Sequence, residues 1–121
     1  MKVLVVDDSF TTRRIVIKLL GEMNYTDVEE AADGVQAMSR LNGVGLIVTD
    51  WNMPNMDGLT FVKNVRANPV YAKVPIIMLT TESAKTEIVE AIKCGVNNYV
   101  VKPFTADVLK SKIEFVLQQN K

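Results

Sequence analysis

The sequence predicts an α/β fold: a doubly wound, five-stranded parallel sheet with helices on both faces. Three observations carry this expectation. Short apolar runs rich in β-branched residues recur along the chain, as strands buried on both faces require. Stretches with apolar residues at helical spacing separate them. The connections are short, so consecutive elements read as βα units with right-handed crossovers.

The first strand is Val3-Leu4-Val5-Val6, which runs into Asp7-Asp8. Val16, Leu19, Leu20 and Met23 follow at i, i+3, i+4, i+7 spacing and predict an amphipathic helix over 10–23. Val28-Glu29-Glu30-Ala31-Ala32 is short and half polar, as an edge strand should be. Asp33-Gly34-Val35-Gln36 resembles a capping box and opens a helix with Ala37, Met38 and Leu41 inward. Leu46-Ile47-Val48-Thr49 leads into Asp50, and Asp57-Gly58 opens a helix carrying Phe61, Val62 and Val65 that stops at Asn68-Pro69. Ile76-Ile77-Met78-Leu79 ends in Thr80-Thr81. Ser83 then caps a helix with Ala84, Ile88, Ala91 and Ile92 inward, closed by Gly95. Tyr99-Val100-Val101 runs into Lys102-Pro103, and Thr105 caps a last helix through Leu109, Ile113 and Val116.

Composition narrows the function. The chain has 121 residues, no histidine, one cysteine and a formal net charge of zero. Zero net charge offers no basic field for nucleic acid or an anionic membrane surface. No apolar stretch approaches the ~20 residues of a membrane span, and the start shows no signal-peptide layout. The expected location is therefore the cytoplasm, with residues 1–121 as a single domain and no output domain. Lone Cys94, just before Gly95, reads as a small core hydrophobe at a helix end. Without histidine there is no Ser-His-Asp triad, no His-ligated metal and no phosphohistidine on this chain, so any phosphohistidine belongs to a partner.

In a parallel sheet every strand C-terminus lies on one edge, and ligands bind there at the point where strand order reverses. Asp7, Asp8, Asp50, Thr80 and Lys102 should meet at that edge. Alone, Asp7-Asp8 could cap the next helix and Asp50 could form a turn. Together, three converging carboxylates repel by kilocalories unless a cation intervenes. Mg²⁺ suits such a site, because it takes one or two carboxylates and completes its octahedron with water and phosphate. No EF-hand spacing supports Ca²⁺ storage. Lys102 alone would be an ordinary salt-bridge partner, but beside the acids it and the Thr80 hydroxyl suit phosphoryl oxygens. Asp50 faces them from a central strand and is the candidate nucleophile, leaving Asp7-Asp8 to hold the metal. A Mg²⁺-dependent aspartyl phosphatase would need a second acid where Asn52 stands, and a cap. An FMN carrier would not place acids against a phosphate monoester.

VLVVDDS at 3–9, TDWNMPNMDG at 49–58, MLTTE at 78–82 and NYVVKPF at 98–104 together resemble the receiver domain of bacterial two-component response regulators. Trp51-Asn52 and the NYVVKPFT segment make the stand-alone chemotaxis regulators the nearest type. The resemblance implies a flavodoxin-like (βα)5 fold with strand order 2-1-3-4-5. It implies Asp50 as phosphoacceptor, with Asp8, Asp50 and the Asn52 carbonyl on Mg²⁺ (Mn²⁺ as a substitute) and Asp7 acting through water. Thr80 and Lys102 would contact the phosphoryl group, and the Lys102-Pro103 bond would be cis. Asn52 and Glu82 would influence hydrolysis of the acyl phosphate. Tyr99 would be a rotamer switch coupled to Thr80, and Ile88, Tyr99, Val101 and Lys112 would form the partner surface.

The same resemblance implies a chemotaxis-type histidine kinase as donor, the flagellar motor switch protein as target and a phosphatase as a further partner. It implies a monomer that is no enzyme in the ordinary sense, although it catalyses its own phosphorylation and dephosphorylation. The alternative within the family is a phosphorelay intermediate or phosphate sink. Ser9, where some relatives carry an aromatic residue, and the bulky Thr81 are departures expected to affect rates.

Overall fold

The computed structural model describes residues 1–81 and 85–119. Along the chain run β1 (Lys2–Val6), α1 (Phe10–Glu22), β2 (Val28–Ala31), α2 (Gly34–Met38) and β3 (Val44–Asp50). They are followed by α3 (Gly58–Ala67), β4 (Ile76–Thr80), α4 (Lys85–Cys94), β5 (Asn98–Val101) and α5 (Ala106–Gln119). The sheet is parallel, as the apolar runs predict, and has the order β2-β1-β3-β4-β5 that the receiver resemblance implies.

Alternation of side chains across the strands divides the core into two layers. Leu4, Val6, Ile47 and Met78 face α2, α3 and α4, packing against Ala37, Phe61, Val62, Val65 and Ala91. Val3, Val5, Leu46, Val48, Ile77, Leu79 and Val100 face Val16 and Leu20 of α1 and Leu109, Ile113 and Val116 of α5. Both faces are covered, which is why the central strands read as continuous apolar runs. Each buried Leu, Ile or Val contributes about 1.5–3 kcal/mol relative to an exposed one.

Two helices end in the same way for different reasons. Asn24 adopts φ 70° after α1, and its N–H and that of Tyr25 return to Gly21 and Leu20. Gly95 adopts φ 114° after α4, and its N–H and that of Val96 return to Ile92 and Ala91. Both are Schellman closures, in which a left-handed residue lets the chain satisfy the last carbonyls. Glycine carries no penalty there, and asparagine is the next best choice.

Two expectations need correction. The helix opened by Asp33 stops at Met38, so Leu41 is buried on the following turn and not on the helix. The Ser39 hydroxyl donates to the Gln36 carbonyl and competes for the acceptor the helix would use next. Ile92, expected inward, is 50% exposed. On α4 Ala91 is buried and Ile88 half-buried, because this helix leads from β4 to the edge strand β5 and covers the margin of the sheet. The expected Ser83 cap and Ala84 contact lie outside the described residues.

Candidate functional site: an acidic cluster at the strand ends

The polar groups that end β1, β3, β4 and β5 come together as the topology requires. Ligand oxygens of Asp7, Asp8 and Asp50 all lie within 4.8 Å of one another. Asp7 and Asp50 are buried, whereas Asp8 is exposed. Trans oxygens of an octahedral Mg²⁺ with bonds of 2.0–2.1 Å stand about 4.2 Å apart, so this spacing fits one such ion with little adjustment.

Asp7 is held firmly. Its N–H donates to the Ala31 carbonyl at 3.1 Å, and its Oδ1 accepts from Ser9 N–H at 2.8 Å. Ser9, not the acid pair, caps α1, its side chain accepting from Thr12 N–H. That frees the pair from the capping role it could have had. Asp50 Oδ1 accepts from Trp51 N–H at 2.8 Å and lies 3.1 Å from Lys102 Nζ. Among the described residues no hydrogen bond reaches Asp50 Oδ2.

Lys102 also lies 3.1 Å from Asp7 Oδ2, so one ammonium bridges the two buried carboxylates. Three converging carboxylates call for a cation, and the chain itself supplies part of the neutralising charge. At an effective dielectric of about 20, each of these contacts is worth about 5 kcal/mol, against about 3.5 kcal/mol for one carboxylate pair at the cluster's outer spacing. Burial nonetheless pushes the Asp50 pKa up, Asp7's charge pushes it further, and Lys102 and the Trp51 N–H only partly oppose this. For Lys102, burial disfavours the charge, but Asp50 and Asp7 outweigh it and its pKa rises. The Lys102-Pro103 bond is cis.

The loop after β3 is anchored at its far end. Gly58 N–H donates to the Trp51 carbonyl at 2.7 Å, bringing α3 so close that an added Cβ would sit 2.1 Å from the Asp50 carbonyl oxygen. Only glycine fits there. Asp57 caps α3 through Thr60 N–H. Asp33 accepts from Gln36 N–H and from Asn55 Nδ2 at 2.7 Å, and these bonds, in that order, hold its carboxyl below the usual range. Asn52 is exposed on this loop, two residues beyond Asp50.

Thr80 is buried at the end of β4 and its carbonyl accepts from Lys102 N–H at 2.7 Å. In register, Thr80 pairs with Val101 and Met78 with Tyr99, so Thr80 and Tyr99 are diagonal neighbours on one face. Tyr99 is half-buried with Lys112 Nζ 5.5 Å from its ring centre, and Lys112 also reaches Asn98 Oδ1 at 3.4 Å. Val101 is exposed and Ile88 half-buried on the adjoining helix. Glu82 lies outside the described residues.

Sequence reasoning missed Arg13. Its guanidinium donates to the Asp7 carbonyl and to Glu30 Oε1, the latter at 3.1 Å. The one available signal was its place one turn beyond Ser9, near the inner stripe of α1.

The sequence pattern of the response regulator receiver domain matches residues 3–114. The chain is 53% identical to the chemotaxis protein CheY1 of Helicobacter pylori over 99% of each chain. It is also 53% identical to a CheY homologue of Campylobacter jejuni, over 97% of this chain and 92% of that one. The crystal structure of CheY4 of Vibrio cholerae, 39% identical, superposes with a TM-score of 0.89 over 95% of this chain and 97% of the other. The acid cluster, the bridging lysine and this agreement over nearly the full length converge: the chain belongs to the response regulator receiver domain family, as a CheY-like chemotaxis regulator.

Proposed function

We propose that the protein is a phosphorylation-controlled switch that takes a phosphoryl group from the phosphohistidine of a chemotaxis-type kinase onto Asp50. The observation that carries this reading is the juxtaposition of Asp50 with Asp7 and Asp8 within 4.8 Å and with Lys102 at 3.1 Å. Asp50 Oδ2 attacks phosphorus, the P–N bond breaks, and the leaving imidazole takes its proton from solvent. Asp7, Asp8, Asp50 and the Asn52 carbonyl would hold Mg²⁺, or Mn²⁺ in its place. The ion would supply charge neutralisation for the incoming phosphoryl oxygens. Lys102 supplies a second positive charge at the same oxygens, and the Thr80 hydroxyl donates to one of them. Asn52, two residues beyond Asp50, would border the product, and the family resemblance gives it and Glu82 an influence on hydrolysis; the chain would catalyse its own phosphorylation and dephosphorylation and turn over no external substrate.

A new dianion at Asp50 draws Lys102 and Thr80 toward it, and a switch needs contacts that differ between its two states. Thr80 shares a sheet face with Tyr99, whose ring lies beside Lys112 at the exposed margin of β5. Ile88, Tyr99, Val101 and Lys112 then form a groove for an amphipathic helix of the flagellar motor switch protein. A coupling of about 1–3 kcal/mol changes affinity roughly 5- to 150-fold.

Titration of a motor-switch N-terminal peptide with phosphorylated and unphosphorylated protein tests the reading. Phosphorylation should tighten binding, and Tyr99→Ala and Ile88→Ala should abolish the gain while leaving phosphorylation intact. Equal affinity in both states would favour a relay or sink.

A further inference from the structure

We propose that Arg13 is a positioning residue for the acidic pair, fixing the Asp7–Asp8 peptide so that Asp8 aims into the cation site. The inference rests on the reading of the acid cluster as a divalent-cation site.

Asp8 is exposed, and among the described residues no side chain or backbone group holds its carboxylate. Its direction therefore comes from the backbone that carries it. Among the described residues, the preceding peptide is held at one point besides Asp7's own N–H and carboxylate: the Asp7 carbonyl, which accepts from Arg13 Nη1. Arg13 can hold that point because it is itself immobilised. Its side chain is only 14% exposed, and its Nε donates to Glu30 Oε1 at 3.1 Å. Glu30 is fixed in turn by its place in β2, by Arg14 on its other oxygen and by Arg40 on its carbonyl. A chain of contacts thus runs from the edge strand through α1 to the turn that bears Asp8.

Charge alone does not explain the arrangement. A cation 17 residues before Glu30 in sequence would pair with it from many rotamers. This one uses the planar fork of a guanidinium to contact a carboxylate and a carbonyl at once, which an ammonium cannot reproduce in the same geometry. Outer partners that orient ligands typically change metal affinity by about 10- to 100-fold when removed.

The test is a Mg²⁺ titration of the full chain, read by Trp51 fluorescence, at a temperature well below unfolding of every variant. Arg13→Lys keeps the charge and loses the fork, and the double variant Arg13→Gln/Glu30→Gln keeps the net charge and removes both partners. Both should weaken Mg²⁺ binding by about tenfold. Arg14→Gln touches nothing on Asp7 and leaves Glu30 held by β2, by Arg40 and by Arg13 itself, so it should bind Mg²⁺ within about twofold of the parent. A purely structural Arg13 would lower the melting temperature and leave the titration unmoved. Should Arg13→Lys fail to fold, the double variant decides the question by the same titration. Normal Mg²⁺ affinity in a folded Arg13 variant, or equal weakening by Arg14→Gln, overturns the proposal while the cation site stands. A parent protein that shows no Mg²⁺ response removes the cation reading and the proposal with it.

Discussion

Replacing Asp50 by Asn should stabilise the metal-free protein. With ligand oxygens within 4.8 Å, Asp7's carboxylate repels Asp50 by at least about 3.5 kcal/mol at an effective dielectric of about 20, while Lys102 at 3.1 Å attracts it by about 5 kcal/mol. Those two largely offset, so burial decides the sign. Withdrawing a carboxylate from water costs several kcal/mol, which agrees with burial as the leading reason that Asp50's pKa is raised. Burial together with Asp7's charge outweighs Lys102 and leaves a net penalty on the charged form, and Asn removes it while still accepting from Trp51 N–H. For a chain of this size, each kcal/mol of penalty removed should raise the melting temperature by roughly 3–6 °C. The pH dependence follows from the direction of the shift. A carboxyl whose folded pKa lies above its unfolded value carries the full penalty above the folded pKa and none below the unfolded one near about 3.9. The difference between Asp50→Asn and parent, measured by thermal melts in EDTA from pH 7 downward, should therefore shrink as pH falls through Asp50's raised pKa. Saturating Mg²⁺ should close the gap at pH 7 by stabilising the parent more. A metal-free Asp50→Asn protein that melts at or below the parent at pH 7 would refute the reasoning.

Lys102→Ala leaves two buried carboxylates without their shared counterion, and should cost about 3 kcal/mol at pH 7 by urea unfolding in EDTA. Mg²⁺ should then raise stability more in the variant than in the parent. Lys102's folded pKa is raised, so its contribution is complete below the ordinary lysine value and is lost as pH climbs through the folded one. Gly58→Ala forces a Cβ to within 2.1 Å of the Asp50 carbonyl oxygen. It should destabilise by about 3 kcal/mol or more and weaken Mg²⁺ binding, both read in one fluorescence titration with urea.

Strand and helix identities were readable because burial on both faces makes the strands continuously apolar and leaves clear helical periodicity between them. Asp7, Asp8, Asp50, Thr80 and Lys102 were readable as a site for a related reason: topology alone brings strand ends to one edge. Other features lay outside local pattern. Ile92 carries the same periodic signal as a core residue, and only the marginal position of α4 decides that it is half exposed. Leu41 looked helical because spacing says nothing of where a five-residue helix stops. Arg13 contacts Glu30, 17 residues on. Arg66 donates to the carbonyls of Gly95 and Ala72 and to Asn97 Oδ1, and burial lowers its pKa. A long polar side chain with distant backbone partners leaves no periodic trace. Lys102's bridge between Asp7 and Asp50 was half visible, since its proximity followed from topology but its simultaneous contact with both acids did not.

The central claim is that Asp50 accepts a phosphoryl group only at a cation-filled acid cluster. Intact-mass analysis of the full chain incubated with acetyl phosphate tests it most directly, run with Mg²⁺, with EDTA, and with Asp50→Asn. The account predicts one added phosphoryl group in the parent with Mg²⁺, and none in EDTA or in Asp50→Asn. Equal labelling of Asp50→Asn, or full labelling in EDTA, would contradict it.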